Sequence, residues 1–244
     1  NNSTIAVTFS EAVYNTNGGS GSLQASDFSL SITGGTATVS SATPTSISPS
    51  GNTYTLGIGL TGTPDGSELL AVVPVDDGIY DAAGNEASTT QSNNTATLND
   101  QLLPTITSVS LAADNSTIAV TFSEAVYNTN GGSGALETSD FSFSIGPSSG
   151  LGTVTLNSAT PTSIAASGNT YTLGIDLSGF PDGSEVLTVV PVNNGIYDAV
   201  GNEASTTQSN NTATLNDQLV PTITGVALAG DNTTITVTFS EAVY

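Results

Sequence analysis

The chain repeats its own sequence at about the length of one domain. The segment STIAVTFSEAVYNTNGGSG begins at Ser3 and returns at Ser116, and a third copy, DNTTITVTFSEAVY, runs from Asp231 to Tyr244. The second copy carries an insertion, because it has SIGPSSGLGTVTLNS where the first has SITGGTATVSS. A period of roughly 110–120 residues is too long for a solenoid unit and fits a single domain. The sequence therefore predicts tandem domains of one kind.

Two linkers of nearly the same sequence, LNDQLLPTIT and LNDQLVPTIT, mark the junctions between repeats. They predict a first repeat over residues 1–100 that lacks its first strand, a complete repeat over 101–217, and the first two strands of a third over 218–244. We expect the chain to belong to a longer repetitive protein or a polymer. In such an assembly, neighbouring repeats or identical chains would supply the missing strands by strand donation.

Period-2 alternation of β-branched and apolar residues with Ser and Thr predicts strands, and no window has a helical period. Gly-, Asn- and Pro-rich turns separate the strands. About seven strands per repeat predict an all-β fold of tandem immunoglobulin-like antiparallel β-sandwich repeats. In the complete repeat the predicted strands are Thr105–Ala112, Ser116–Ser123, Asp140–Ile145, Thr153–Ser158, Asn169–Leu177, Glu185–Val192 and Asn211–Asp217.

The charge of the chain is entirely acidic. It has 21 Asp and Glu and no Lys, Arg or His, for a formal charge of −21. Nothing in it neutralises phosphates, which argues against nucleic-acid binding, and no apolar run is long enough for membrane insertion. Each carboxylate must therefore meet water, a backbone donor or an external cation. Where acids cluster, we expect a bound divalent cation to offset the repulsion between their carboxylates.

Sandwich topology predicts where such a cluster forms. The loop after the second strand carries Glu124, the loop between the last two strands carries Asp198 and Asn202, and the incoming linker brings Asp100 to the same pole. Carboxylate and amide oxygens in numbers of six to eight are the ligands that Ca²⁺ takes. We therefore predict a Ca²⁺ site at this junction, completed by backbone carbonyls. The alternative for the Asp198 loop is a plain Asx turn.

Equivalent positions in the other repeats extend this prediction. The first repeat has Glu11, Asp81 and Asn85 but no upstream linker acid, and the third has Asp217 and Glu241 but no partner loop.

Other polar clusters are predicted to be structural. The PDGSE turn, with Asp182 and Glu185, is expected to hold solvated acids, with a metal as the less favoured alternative. Asp27 and Asp140 are expected to be turn residues at strand starts, and the tyrosines are expected to pack against the sandwich instead of binding sugar.

Several of these motifs also occur together in a known class of repeat. The order TFSE, SDF, GNTYTL and D-x-x-G-N resembles the immunoglobulin-like tandem repeats of giant bacterial surface proteins and extracellular adhesins, including those of the type found in the cyanobacterial swimming-associated surface protein. The resemblance implies secreted β-sandwich repeats, often stiffened by Ca²⁺ at domain junctions. It assigns the TFSE acid to Glu11, Glu124 and Glu241. It assigns the late loop to Asp81 with Asn85 and to Asp198 with Asn202.

The favoured function is structural. Without His, Cys or Lys, only carboxylates and hydroxyls remain for acid–base or nucleophilic work, so we expect no enzyme activity. We expect a repeat of a secreted or cell-surface stalk, adhesin or extracellular filament, stiffened by Ca²⁺ at its junctions. The location would be extracellular or on the bacterial cell surface. The alternative is a carbohydrate- or ice-binding extracellular module, since Thr-rich strand faces are exposed, although the chain has no Trp.

Overall fold

The computed structural model describes residues 1–146 and 154–243 and divides into two compact units, unit 1 (Asn1–Leu102) and unit 2 (Leu103–Tyr244). In these residues the regular structure is antiparallel β, apart from two three-residue 3₁₀ helices, Ala25–Asp27 and Thr138–Asp140. None of the described helices has the length and apolarity to cross a membrane. The all-β prediction is confirmed.

The larger part of unit 2, before residue 218, contains nine strands among its described residues. In order they are β9 (Ile106–Leu111), β10 (Thr117–Phe122), β11 (Phe141–Ile145), β12 (Thr155–Leu156), β13 (Ile164–Ser167), β14 (Thr170–Gly174), β15 (Leu177–Ser178), β16 (Val186–Pro191) and β17 (Thr212–Thr214). One sheet has the order β13-β14-β10-β9 and another has the order β11-β16-β17, with a short β12-β15 pair beside them.

The two main sheets of unit 2 share one hydrophobic core, because their strands alternate inward apolar residues with outward Ser and Thr. In β10 the alternation is complete, with Ile118, Val120 and Phe122 buried. Phe122 meets Tyr171 edge-on, with ring centroids 6.0 Å apart and planes at 83°. Phe122 also meets Phe141 of the other sheet, with ring centroids 6.2 Å apart. Packing of this kind between two sheets gives a sandwich-like layer arrangement.

Unit 1 has the same arrangement with one strand fewer. Its strands are β1 (Thr4–Thr8), β2 (Phe28–Thr33), β3 (Thr38–Val39), β4 (Ile47–Ser50), β5 (Thr53–Gly57), β6 (Leu60–Thr61), β7 (Leu69–Pro74) and β8 (Thr95–Thr97). Its sheets have the orders β1-β5-β4, β2-β7-β8 and β3-β6. In the described residues, therefore, β1 is an edge strand, whereas its counterpart β10 is paired on both sides with β9 and β14.

The last two strands, β18 (Ile223–Leu228) and β19 (Ile235–Phe239), form a hairpin that pairs as β9 pairs with β10. Leu228 lies opposite Ile235, just as Leu111 lies opposite Ile118. Both strands leave their apolar side chains exposed.

Two details of the strand predictions need correction. NTYTLGIDL is two strands, β14 and β15, because the chain leaves one sheet at Gly174, where a Cβ would lie 2.4 Å from Thr162 Oγ1. The strand β13 was missed because only Ile164 in it is partly buried, while its other residues are small and exposed. The inserted segment GPSSGLG, apart from Gly146, and the start of the strand predicted at Thr153 lie outside the described residues.

Candidate metal centre

The loop after Tyr197 is built around one buried carboxylate. Asp198 is 0 % exposed, and its Oδ1 accepts the backbone N–H groups of Val200 at 2.9 Å, Gly201 at 2.7 Å and Asn202 at 2.8 Å. Its Oδ2 accepts the side-chain amide of Asn202 at 2.7 Å. A carboxylate offers about four lone-pair positions, so these bonds occupy Oδ1 more fully than Oδ2. The loop fixes Asp198 and leaves Oδ2 the better placed oxygen for a further ligand.

Glu124 follows β10 and comes to the same end of unit 2. A carboxylate oxygen of Glu124 lies within 4.8 Å of one of Asp198. Glu124 is half-buried, and the sequence holds no Lys, Arg or His to pair with either acid. Two carboxylates this close repel each other, and a shared cation between them removes the repulsion. The structure thus brings together two predicted ligands, with Asn202 bonded to one of them.

The first repeat forms the same loop. Asp81 Oδ1 accepts the N–H groups of Ala83 and Asn85 at 2.8 Å, and its Oδ2 accepts the Asn85 side-chain amide at 2.7 Å. The Asn85 side-chain and backbone donors hold the pKa of the Asp81 carboxyl below its usual range. Glu11, Asp81 and Asn85 line one cleft of about 350 Å³. The predicted residues of unit 1 therefore lie together too, although Glu11 is exposed and Asp81 is only half-buried.

A second loop in unit 2, NTNGGSG (Asn128–Gly134), braces the Asp198 loop. Tyr127 and Tyr197 exchange backbone hydrogen bonds at 2.7 and 2.8 Å, which ties the two loops at their bases. Gly132 has φ of 74°, and a Cβ there would come within 2.6 Å of the Ala199 carbonyl oxygen. Only glycine allows both this backbone and this close approach. The Gly-Gly pair, repeated at Gly18 and Gly19, was the available sequence signal of a close contact.

The linker acids have local roles in their own units. Asp100 Oδ1 accepts the N–H of Leu102 at 2.8 Å in unit 1, and Asp217 Oδ1 accepts the N–H of Leu219 at 2.8 Å in unit 2. Asp100 is half-buried and Asp217 is exposed. Glu241 is half-buried after β19, and its Oε1 is buried without a hydrogen-bond partner among the described residues.

The acids of the PDG turns are not all solvated, which corrects one prediction. Glu68 is 0 % exposed, and its carboxylate accepts the N–H groups of Thr36 at 2.8 Å, Ala37 at 2.9 Å, and Asp65 and Gly66 at 3.1 Å. Burial raises the pKa of Glu68, but the bonds from backbone N–H groups outweigh it, so the pKa lies below the usual range. Glu68 therefore joins two loops of unit 1 as a structural anion.

The corresponding Glu185 of unit 2 is equally buried. Its Oε2 accepts the N–H of Asp182 at 3.1 Å, while its Oε1 has no hydrogen-bond partner in the described part of the chain. Residues 147–153, whose counterparts in unit 1 include Thr36, are outside that part. Sequence patterns did not predict this burial, because in unit 1 two of the donors to Glu68, Thr36 and Ala37, lie more than thirty residues away.

Asp27 and Asp140 lie in turns at strand starts, and two of the tyrosines pack in the cores. Asp27 and Asp140 each end a 3₁₀ turn. Asp27 accepts the backbone N–H of Gln24 at 2.8 Å, and Asp140 accepts that of Glu137 at 2.7 Å. Burial raises the pKa of Asp140 above its usual range. Tyr54 and Tyr171 are buried against phenylalanines, as the packing prediction requires.

No protein-family model, curated protein or solved structure matches this chain. Inference about its function rests on its sequence and its geometry.

Proposed function

We propose that the chain is a structural segment of a secreted or cell-surface stalk, adhesin or extracellular filament, built from immunoglobulin-like β-sandwich repeats. Ca²⁺ bound beside each repeat's D-x-x-G-N loop stiffens the array. The observation that carries this proposal is the close approach of Glu124 and Asp198 in a chain without a single basic side chain.

The ligand chemistry favours calcium among common cations. Asp198, Glu124 and Asn202 offer hard oxygen atoms, and Ca²⁺ takes six to eight of these in flexible geometry with carbonyls and water. Mg²⁺ demands stricter octahedral geometry, and thiolate or imidazole metals have no ligand because the sequence lacks Cys and His. The same residue types recur in unit 1 at Glu11, Asp81 and Asn85, so the first two repeats each have their own set.

The structural role follows from repetition and from the binding range of such sites. Extracellular calcium modules bind at roughly 10⁻⁴ to 10⁻³ M, so calcium outside cells saturates them and cytosolic calcium does not. Asp100 stays a predicted ligand because it lies in the linker. With Asp100 as a ligand, we expect calcium to connect successive repeats. The burial of Tyr54 and Tyr171 removes these two rings from any sugar-binding surface.

The test is thermal unfolding and small-angle scattering of the whole chain in Ca²⁺ and in chelator. At about 10 mM Ca²⁺, a site with a Kd of roughly 10⁻⁴ to 10⁻³ M stabilises the folded state by about 1.4 to 2.7 kcal/mol. We expect a matching rise in Tm and a longer maximum dimension than in chelator. Glu124→Gln should reduce the rise in Tm, because it removes a ligand of the unit 2 site and leaves the unit 1 site intact. Asp100→Asn should reduce the gain in length.

The matched control is Glu137→Gln, which removes an acid of unit 2 and introduces the residue that unit 1 carries at Gln24. This variant should respond to calcium as the parent chain does. Identical melting and scattering curves with Ca²⁺ and with chelator would contradict the calcium sites. A response of equal size in Glu124→Gln would place calcium elsewhere in the chain.

A further inference from the structure

The loop NTNGGSG carries an Asn-Gly dipeptide in each unit. Asn17-Gly18 lies in unit 1 and Asn130-Gly131 in unit 2, and a further such dipeptide, Asn194-Gly195, lies between β16 and the Asp198 loop. Asn-Gly is chemically labile because glycine has no side chain to hinder attack by its backbone nitrogen on the Asn side chain. The chain therefore offers the same spontaneous reaction in three different surroundings.

The reaction is deamidation, which consumes water and releases ammonia. The backbone nitrogen of the glycine forms a new bond to Cγ of the Asn side chain, while the bond from Cγ to the side-chain nitrogen breaks. The proton of the glycine nitrogen leaves with that side-chain nitrogen as ammonia, and a cyclic succinimide remains. One water molecule then opens the ring at either carbonyl. The products are aspartate and isoaspartate, and both carry a new carboxylate.

The NTNGGSG loops leave their Asn-Gly dipeptides open to this attack. Asn130 is exposed, and Gly131 has φ of 103°, where a Cβ would meet no described atom within 4 Å. Asn17 is exposed in the same way, and Gly18 has φ of 109° with equally open surroundings. Because glycine backbone is permissive and no described neighbour crowds it, its nitrogen can reach Cγ without displacing other groups.

Asn194 has the same following residue but a closed setting. The N–H of Gly195 donates to the Val192 carbonyl at 3.0 Å. A Cβ on Gly195 would lie 2.9 Å from that carbonyl oxygen and 3.3 Å from Asp140 Cα. The N–H of Asn194 donates to Glu203 Oε1, which holds the other side of the turn. The attacking nitrogen is thus bonded and crowded, so this turn must open locally before Asn194 can react.

Deamidation of Asn130 would add a charge beside the D-x-x-G-N loop. Asn130 Oδ1 lies over Gly201, where a Cβ would come within 2.2 Å of it, and the N–H of Gly201 donates to Asp198 Oδ1. Carboxylate oxygens of Asp198 and Glu124 already lie within 4.8 Å, and the sequence has no basic side chain to offset another acid. A carboxylate at residue 130 therefore increases the repulsion at this end of unit 2.

We propose that Asn17 and Asn130 deamidate spontaneously in the folded chain and that the fold protects Asn194. In unit 1 the new carboxylate lies over Gly84, since a Cβ there would come within 2.5 Å of Asn17 Oδ1. Each unit thus gains an acid beside its D-x-x-G-N loop as the chain ages, and its calcium-free form loses stability. This inference does not rest on the proposed calcium sites, because the reaction and the repulsion both occur without a metal.

The first test ages the whole folded chain in mildly alkaline buffer with chelator, so that calcium plays no part. Aromatic residues separate the three dipeptides, so chymotrypsin digestion and mass spectrometry follow each Asn independently. We expect conversion of amide to carboxyl at Asn17 and Asn130, and a rate at Asn194 roughly tenfold slower or more, because its turn must open first. In urea the protection is lost, and the three sites should react at similar rates. The proposal is overturned if Asn17 and Asn130 keep their amides, or if Asn194 reacts as fast as they do in the folded chain.

The second test measures the effect of the charge with Asn130→Asp, again in chelator. The matched control is Ser178→Asp, which adds an acid at an exposed position of β15. The N–H of Ile175 donates to the Ser116 carbonyl at 2.8 Å, so β15 follows the start of β10, whereas Glu124 follows its end. We expect added salt to raise the Tm of Asn130→Asp more than that of the control, because salt screens the repulsion beside the D-x-x-G-N loop. Equal recovery of Tm in the two variants would overturn the charge effect.

Discussion

The strand β1 and the first five residues of β10 have the same sequence, TIAVT, but different neighbours. In unit 2 the strand β9 covers the outer edge of β10, and Ile118 and Val120 are fully buried. In unit 1 no described strand covers that edge of β1, and Ile5 and Val7 are only half-buried beside a groove. Alternation in the sequence determines which side chains face inward. The neighbouring strand determines how far those side chains are removed from water.

The D-x-x-G-N loops differ in a similar way. Asp81 and Asp198 accept hydrogen bonds from the same positions of their own loops, so the turn is a local structure. Asp198 is nevertheless fully buried, whereas Asp81 is half-exposed. Local sequence is sufficient for the shape of the loop, while its electrostatic setting depends on the rest of the fold.

The largest effect is expected from truncating the shared isoleucine. Ile118→Ala should destabilise unit 2 by about 2–5 kcal/mol, because it opens a cavity in a closed core. Ile5→Ala should cost unit 1 about half as much, because Ile5 already borders the groove. Hydrogen exchange of β14 and β5, read by mass spectrometry, measures each unit separately. Equal losses in the two units would show that β9 adds nothing to the core.

An intermediate effect is expected at the buried carboxylate of unit 1. Glu68→Gln should destabilise unit 1 by about 1–3 kcal/mol, because an amide group would face buried N–H donors. The pKa of folded Glu68 is lowered, so its contribution is present above the ordinary glutamate pKa and is lost as pH falls through the folded value. The free energy of unfolding of unit 1, measured with urea, should therefore fall below pH 5 in the parent chain. It should fall less in the variant.

The control for this acid dependence is again Glu137→Gln, which leaves Glu68 and its donors unchanged. If Glu68→Gln and the parent chain lose stability in parallel as the pH falls, the charge of Glu68 does not hold the two loops together.

The smallest effect is expected from Gln208 and its counterpart in unit 1, Gln91. Gln208→Ala should cost unit 2 about 1 kcal/mol, because the N–H of Ile106 loses its acceptor. Gln91→Ala should leave the Tm of unit 1 nearly unchanged, because the side-chain amide of Gln91 donates to the Ser88 carbonyl of its own exposed turn. Thermal unfolding of the two variants measures the difference. An equal fall in Tm for both variants would mean that Gln91 has a role within unit 1 itself.

Sequence patterns predicted most of the fold because the strands of the main sheets alternate strongly. The patterns failed at β13, where Ala165 and Ala166 carry no alternation, and at Gly174, where the change of sheet depends on contacts with Thr162 and Ser163. No pattern in the neighbouring sequence indicates that these segments lie close together. A period-2 pattern reports an inward face but not the partner strand.

The candidate site was predictable to a similar extent. The close approach of Glu124 and Asp198 followed from counting strands between two loops. The burial of Glu68 did not follow, because its donors are backbone N–H groups, which every residue except proline carries. Gln208 was missed for a related reason, since it lies in a polar stretch and acts through the backbone of a strand about a hundred residues earlier.

The equivalence of the β9–β10 and β18–β19 ladders also affects how the chain reaches its folded state. During refolding, β10, β19 and β1 compete for the same partner strand with nearly the same hydrogen bonds, so local pairing does not discriminate between repeats. Correct pairing then depends on short separation along the chain and on the order in which strands emerge during synthesis. Slow phases and mispaired intermediates at high protein concentration are the kinetic consequence of near-identical neighbours.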